Sequence, residues 1–487
     1  MDNSGLVSSH EFALVQASVN ALIDSGLSGR PVAHASDVDV VLAALGKDKS
    51  NWSAAQRAGY SAAATRSLLY AGHALQAVEA VDEGRQFLRE AAEEADPQHL
   101  AKCLSLLGET CLLTGRARDC AEFARVALDD LVRAPDPAVQ FRVQGLLAAS
   151  LAVNGEFDES ERMCEQAQAG VPEPGGAALP WSLLLARTFI ARRRGDAQSI
   201  RAMLGGSYAP SRVTLMQDGT RAIARGWLAF MSGDQHGAIA EMQIFVRGVL
   251  AQRFPPLFIA HALALEAMAF VELGQPGDAM RALIGRPTLP DHTVCFDLVR
   301  ASIHIQQGQP RLALRVTERC LRCGPKHSLR TLPSVHLRRA VAMEMIGLRG
   351  AADQEFSQAC HLSAGLGGLS SALGVLREPL DSLLDRLLVN EPDFGRLVIE
   401  RIAPIRGIPE PRPLAFRPVE LTDRERGLAG WLGTELTLPQ IAEKQFVSIN
   451  TVKTHLRNLY KKLGVTSRED AVTHLMGLGL LDDPRDD

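Results

Sequence analysis

The chain has 487 residues, 46% of them hydrophobic, 22% charged and only 5% aromatic, with a formal net charge of −4. That length exceeds one ordinary core, so two or more domains are expected. The charge excludes a protein coated uniformly with polyanion, yet it leaves room for a local basic patch, because binding follows where charge sits.

The opening "MDNSGLVSSHEFALVQ" carries acids and lacks a basic stretch followed by an apolar core. No signal peptide is expected, and the compartment read from this is the cytoplasm. Residues 1–59 read as N-terminal helices in a capping position ahead of a repeat. Within them "LGKDKS" hints at a phosphate loop, but that motif needs a glycine five residues before its Gly-Lys pair and Ser or Thr directly after it. Val41 and Asp48 stand at those positions. A nucleotide-binding module is therefore not expected.

From there a period near forty sets in. Gly72, Gly115, Gly155, Gly195, Gly233, Gly274, Gly308 and Gly347 follow one another at separations of 34 to 43 residues. Five residues after each stand Ala77, Cys120, Ser160, Ile200, Ala238, Ala279, Ala313 and Ala352, all small except Ile200. The physical reading is a helical hairpin. An apolar helix such as "LAKCLSLLGETCLLTG" ends on a glycine that can take the left-handed conformation. A second helix such as "ARDCAEFARVALDDLV" then runs back, its small side chain letting the backbones approach. One hairpin cannot bury its apolar face alone, so neighbours must stack into a solenoid.

The pattern resembles the tetratricopeptide repeat over roughly residues 60–362, although that repeat is usually about 34 residues long and its aromatic landmarks are mostly missing. HEAT-like repeats are the alternative. In either case an all-α solenoid is expected over 60–403.

Inside this region "LFIAHALALEAMAFV", Leu257 to Val271, is the most apolar window; it is too short to span a bilayer and contains His261 and Glu266, so it reads as a buried helix. Eight scattered cysteines suggest no disulfide framework in a cytosolic protein. Cys320 and Cys323 form a lone CxxC with His327 nearby. Without a second CxxC they read as cysteines of a helix ending at Gly324, and no metal, cofactor or catalytic constellation is assigned. "GLGG" at 365–368 reads as a turn.

Pro404, Pro409, Pro411, Pro413 and Pro418 crowd residues 404–418. Proline removes a backbone donor and clashes inside helices, so this stretch reads as an extended linker. Beyond it, over 419–487, four short helices are expected. Thr422 with Glu425 and Thr437 with Gln440 have capping-box spacing, while Ser448 and Ser467 read as further N-caps. Helix, turn near "KQFV" and helix give the helix-turn-helix layout.

In "SINTVKTHLRNLYKKLG" the residues Val452, Leu456, Leu459 and Leu463 share one face and read as core. Asn450, Lys453, Thr454, Arg457, Asn458 and Lys461 point outward. From Lys444 to Arg468 there are six Lys or Arg and no acid, a local basic face suited to phosphate contact and a major groove. The tail "DDPRDD" reads as a solvated end.

"LTDRE…IAEKQFVSINTVKTHLRNLYKKLGVTSREDAV", about Leu421 to Leu481, resembles the LuxR-type DNA-binding domain of bacterial transcription regulators. The resemblance implies that the helix with the TVKTH motif enters the major groove. It makes Lys453, Thr454, Arg457 and Asn458 candidates for base edges, and Ser448, Asn450, Thr451 and Lys461 candidates for phosphate. It departs from the family at Glu435, where glycine is usual, and at Gln445, where an apolar residue is usual. Gly427 inside the first helix costs roughly 1 kcal/mol relative to alanine.

The implied function is transcription regulation without enzymatic activity. The expected partners are double-stranded DNA, a second copy of the chain on DNA, and a small-molecule or protein effector at the repeats, with RNA polymerase as a further candidate. No membrane association is expected. Dimerisation is placed on the last helix, where Ala471, Val472, Leu475, Leu478 and Leu480 look like more apolar surface than a small core needs. The alternative is a helical-repeat adaptor whose C-terminal domain no longer binds DNA.

Overall fold

The computed structural model describes residues 9–27, 35–92, 95–170, 180–205, 215–247, 253–286, 288–365, 376–402, 421–434, 436–463, 465, 467–468, 471–472 and 475. Among them there is no β-strand, and the fold is all-α. The linker at 404–418, most of the GLGG stretch and the acidic tail lie outside the described residues.

Two helices, α1 (Ser9–Leu27) and α2 (Ala35–Ala43), precede a run of helical hairpins. The hairpins pair α3 (Ala54–Tyr70) with α4 (Ala74–Ala91), α5 (Pro97–Leu113) with α6 (Ala117–Arg133), and α7 (Pro137–Asn154) with α8 (Phe157–Ala169). Next come α9 (Trp181–Arg194) with α10 (Ala197–Gly205), α11 (Leu215–Met231) with α12 (Gln235–Arg247), and α13 (Pro256–Glu272) with α14 (Pro276–Leu283). In the seventh, α15 (Phe296–Gln306) faces a return arm broken into α16 (Pro310–Val316) and α17 (Glu318–Cys323). Pairs α18 (Leu332–Met345) with α19 (Arg349–Gly365) and α20 (Arg377–Asn390) with α21 (Pro392–Ile402) complete the run.

All eight glycines of the sequence period close a hairpin in the left-handed region, with φ between 67° and 102°. At each, the glycine N–H donates three residues back and the following N–H five residues back, as in Gly115 to Leu112 (3.1 Å) and Arg116 to Cys111 (2.7 Å). This Schellman geometry satisfies the last carbonyls of the first arm and reverses the chain. The residue five places on is 0–1% exposed in every hairpin, Ile200 included. The position therefore demands burial between the arms more than minimal size or a purely apolar side chain: Ser160 fills it by donating its hydroxyl to the Ala148 carbonyl (2.7 Å).

Each first arm packs on its own return arm and on the first arm of the next hairpin, from α3 through α5, α7, α9, α11, α13, α15 and α18 to α20. That is the order of packing in stacked helical repeats. Val19, Leu22, Val41 and Trp52 join the same core as α3 to α14, so the leading helices cover the first hairpin. The apolar helix α13 is buried along its length; Glu266 in it is fully buried and accepts hydrogen bonds from Gln243 (3.1 Å) and Arg247 (3.3 Å). No helix of the described residues is long and apolar enough to cross a membrane.

Two connections run back to early hairpins. Residues 288–295, between α14 and α15, place the Thr293 hydroxyl on the Gly115 carbonyl. Residues 324–331, between α17 and α18, place the Ser328 hydroxyl on the Val153 carbonyl (3.2 Å) and the Arg330 N–H on the Asn154 carbonyl (2.9 Å). The approach is so close that a Cβ on Gly155 would lie 2.4 Å from the Arg330 nitrogen. The seventh hairpin is thus tied to the second and third across the stack.

After the linker, α22 (Asp423–Leu432), α23 (Leu438–Lys444) and α24 (Ile449–Leu463) form a separate unit, to which Arg468, Ala471, Val472 and Leu475 add helical residues. Among the described residues, its two apolar clusters draw none from before Leu421.

Candidate nucleic-acid interface

The C-terminal unit is assembled from helix ends. The Thr422 N–H donates to Glu425 (2.8 Å), and the Glu425 N–H donates to the Thr422 hydroxyl (3.3 Å), the reciprocal box expected from the spacing. Thr437 N–H donates to the Gln440 side chain at the start of α23 (2.8 Å). At the start of α24 the Thr451 N–H donates to the Ser448 hydroxyl (3.1 Å). Three short helices of modest propensity begin where they do because a Thr or Ser N-cap engages the first turn of each, satisfying some of its orphan donors.

Leu428, Ile441, Ala442 and Val452 pack the first three helices together, while Leu421, Ala429, Leu432, Leu459, Leu463, Ala471 and Leu475 form the other cluster. Half-buried Leu456 touches both. The stripe Val452, Leu456, Leu459, Leu463 is the seam by which α24 is held. The opposite face is exposed at Asn450, Lys453, Thr454, Arg457, Asn458 and Lys461.

These six fall into two adjacent rows with four-residue spacing. One carries the amides and hydroxyl of Asn450, Thr454 and Asn458; the other carries the cations Lys453, Arg457 and Lys461. The Thr454 hydroxyl donates to the Asn450 carbonyl (2.9 Å), leaving its lone pairs outward. Ser448 is exposed and Thr451 half-buried, and their hydroxyls meet at 2.8 Å beside the first turn, where unpaired backbone N–H groups favour an anion.

The basic face is narrower than a count of charges suggests. Of the six Lys or Arg between 444 and 468, three serve the domain itself. Lys462 lies 2.7 Å from the Glu425 carboxylate. Arg468 donates to the carbonyls of Trp431 (3.3 Å), Leu432 (3.2 Å), Thr434 (2.7 Å) and Leu436 (2.8 Å), closing the end of α22. Lys444 sits over the Trp431 ring at 5.5 Å. Lys453, Arg457 and Lys461 make no ion pair among the described residues, and no acid stands in α24 to oppose them. A helix of 15 residues spans about 22 Å and fits the roughly 12 Å width of a major groove.

Two features were not foreseen. Phe446, in the turn between α23 and α24, has φ of 53° and is 95% exposed, an apolar ring standing beside the N-terminus of α24. Its signal in the sequence was an aromatic two residues ahead of an N-cap. Conversely, Ala471 and Leu475 are fully buried and Val472 packs against them, so these residues complete the domain's own core. Ala471 and Leu475 therefore offer no surface to a partner, Val472 is half-buried, and Leu478 and Leu480 lie outside the described residues. Gln445 closes α23 through its N–H to Ile441 (3.0 Å), a backbone role that needs no apolar side chain. Glu435 also lies outside the described residues.

Residues 419–475 match the family described as bacterial regulatory proteins, luxR family. With helix, turn and helix in place, a buried seam and an uncompensated outward row of cations, the C-terminal unit of this chain is a LuxR-family helix-turn-helix domain.

Proposed function

We propose that this protein is a transcription regulator that reads double-stranded DNA with α24 and whose helical repeats answer to a ligand or a protein partner. The observation that carries the reading is the exposed row Lys453, Arg457 and Lys461 on a helix without acids, beside which Lys444, Lys462 and Arg468 are already engaged by the domain itself. Base-edge contact falls to Lys453, Thr454, Arg457 and Asn458, and phosphate contact to Ser448, Asn450, Thr451 and Lys461. The protein works in the cytoplasm as a homodimer on paired half-sites, with RNA polymerase as the machinery it influences.

For the sensing role, the interior of the stack offers a chemical preference. Arg192 stacks over Trp227 at 3.8 Å, Arg330 lies over Phe189 at 5.2 Å, and the buried His261 packs on Phe189 at 4.9 Å with its Nε2 unbonded. Burial lowers the Arg192 guanidinium to about 9, and the neighbouring Arg330 cation acts in the same direction. Arginine cations that disfavour one another beside aromatic faces suit an anionic effector.

Genomic selection of bound fragments, followed by titration of the full chain on the selected site at rising salt, tests the DNA reading. Affinity that exceeds that for random duplex and falls steeply with salt is expected. No preference for any duplex would instead leave a helical-repeat adaptor.

A further inference from the structure

The two connections that cross the stack bring four metal-ligating side chains together. His292 and Cys295 come from the segment before α15, Cys320 from α17, and His327 from the segment after it; their ligand atoms all lie within 4.8 Å of one another. Cys295, Cys320 and His327 are 0–3% exposed and His292 is half-buried. Both cysteines are free thiols.

The distances have the right form. A tetrahedral ion bonded at about 2.3 Å to sulfur and about 2.0–2.1 Å to nitrogen sets sulfur–sulfur edges of about 3.8 Å and sulfur–nitrogen edges of about 3.6 Å. Here the two Sγ atoms are 3.5 Å apart, and His292 Nδ1 lies 3.5 Å from Cys295 Sγ and 3.6 Å from Cys320 Sγ. The fourth corner is prepared by its tautomer. His327 Nδ1 is 3.0 Å from the Ser328 carbonyl, which can only accept, so the ring proton sits there and Nε2 keeps its lone pair. That Nε2 is buried and has no hydrogen-bond partner. A backbone carbonyl holding the far ring N–H is the usual support of a metal-bound histidine.

We infer that His292, Cys295, Cys320 and His327 form a structural Cys2His2 site for a divalent ion of zinc type. Two thiolates, two neutral imidazoles and one dication sum to zero charge, which suits a buried position. Binding releases the two thiol protons, and no electron transfer is involved. A four-coordinate set of two thiolates and two imidazoles, closed to solvent on three of its members, matches structural rather than catalytic zinc. Its place in the fold gives it a consequence: the same segments carry Thr293 on Gly115 and Ser328 on Val153, so the ion would lock the tie between the seventh hairpin and the second and third. Cys323, the other half of the CxxC, is not a member.

The full-length chain, expressed in zinc-supplemented medium and purified under reducing conditions without chelator, should carry one zinc per chain by elemental analysis. Cobalt exchanged into it should give the thiolate charge-transfer and strong visible bands of a tetrahedral sulfur–nitrogen site. Cys295→Ser and Cys320→Ser should lose both signals, whereas Cys323→Ser should keep them. Chelator should lower the melting temperature of the wild-type chain and leave that of Cys320→Ser unchanged. Should the ligand variants fail to fold, the cobalt spectrum of the wild-type chain still decides. The inference is overturned by a folded, fully reduced wild-type chain that takes up neither metal, by stoichiometric zinc that survives in Cys295→Ser and Cys320→Ser, or by a Cys295–Cys320 disulfide as the resting state in peptide mapping.

Discussion

The Lys462 ammonium stands 2.7 Å from the Glu425 carboxylate, joining the last turn of α24 to the first turn of α22. Glu425 is 4% exposed and also accepts from the Thr422 N–H and hydroxyl, at 2.8 and 3.0 Å. One carboxylate therefore caps the first helix and positions the reading helix.

That carboxylate makes the C-terminal domain acid-sensitive. Burial works against its charged form, but the Lys462 hydrogen bond and the Thr422 backbone outweigh it and hold its pKa below the ordinary glutamate value. A depressed folded pKa contributes stability that is present above the unfolded value and is lost as pH falls through the folded one. Melting of the full chain followed by Trp431 fluorescence should show this domain weakening below about pH 4.5. Glu425→Gln should remove that acid dependence, and Glu425→Ala should cost about 1–2 kcal/mol through the lost cap.

On DNA, Lys453→Ala and Arg457→Ala should each weaken the selected site by about 1–3 kcal/mol while changing random duplex less. Lys461→Ala should weaken all sequences similarly and reduce the salt slope by about one. Lys462→Ala and Arg468→Ala should instead lower the melting temperature, because their partners are in the protein. Anisotropy titrations of all five on specific and random duplex check this; uniform behaviour would sink the division of labour.

Two glycines should respond oppositely to alanine. A Cβ at Gly427 would meet only the Gln445 amide at 3.7 Å, so Gly427→Ala should stabilise α22 by roughly 1 kcal/mol. Gly155 has φ of 102° and Arg330 directly against it. Gly155→Ala should destabilise the repeats by at least about 1–3 kcal/mol from backbone strain alone. Denaturant unfolding of the full chain compares them.

Deletion of residues 1–403 should leave a fragment that recognises the same DNA and no longer responds to an effector. Among the described residues the apolar clusters of the C-terminal domain draw nothing from the repeats, which is why the fragment should fold. An effector can regulate only by binding one state of the whole chain better than another. Affinity of chain and fragment for the selected site, each with and without cell extract, tests it. A fragment blind to the site even when artificially dimerised would place part of the reader in the repeats.

Local chemistry by itself determined the hairpins and the caps. A glycine about every forty residues, followed five places on by a small residue in all but the Ile200 hairpin, sufficed for all eight turns, because a Schellman turn and a first contact between the arms are set within a few residues of chain. Thr422 with Glu425, and the stripe from Val452 to Leu463, were legible for the same reason: both ends of each interaction lie within one or four turns of a helix. What needed the tertiary structure were partners far apart in sequence. Lys462 and Arg468 looked like part of a basic face until α24 and the following helix were folded against Glu425 and the end of α22, some 32 to 37 residues away. Ala471 and Leu475 looked spare until Leu459 and Leu463 were packed on them. Cys320 seemed paired with Cys323 by its spacing, whereas the fold sets it beside Cys295, 25 residues earlier, with a histidine on either side. Spacing reports only what a helix or a turn brings together, and the closing of one hairpin onto another is decided by packing that no short window of sequence contains.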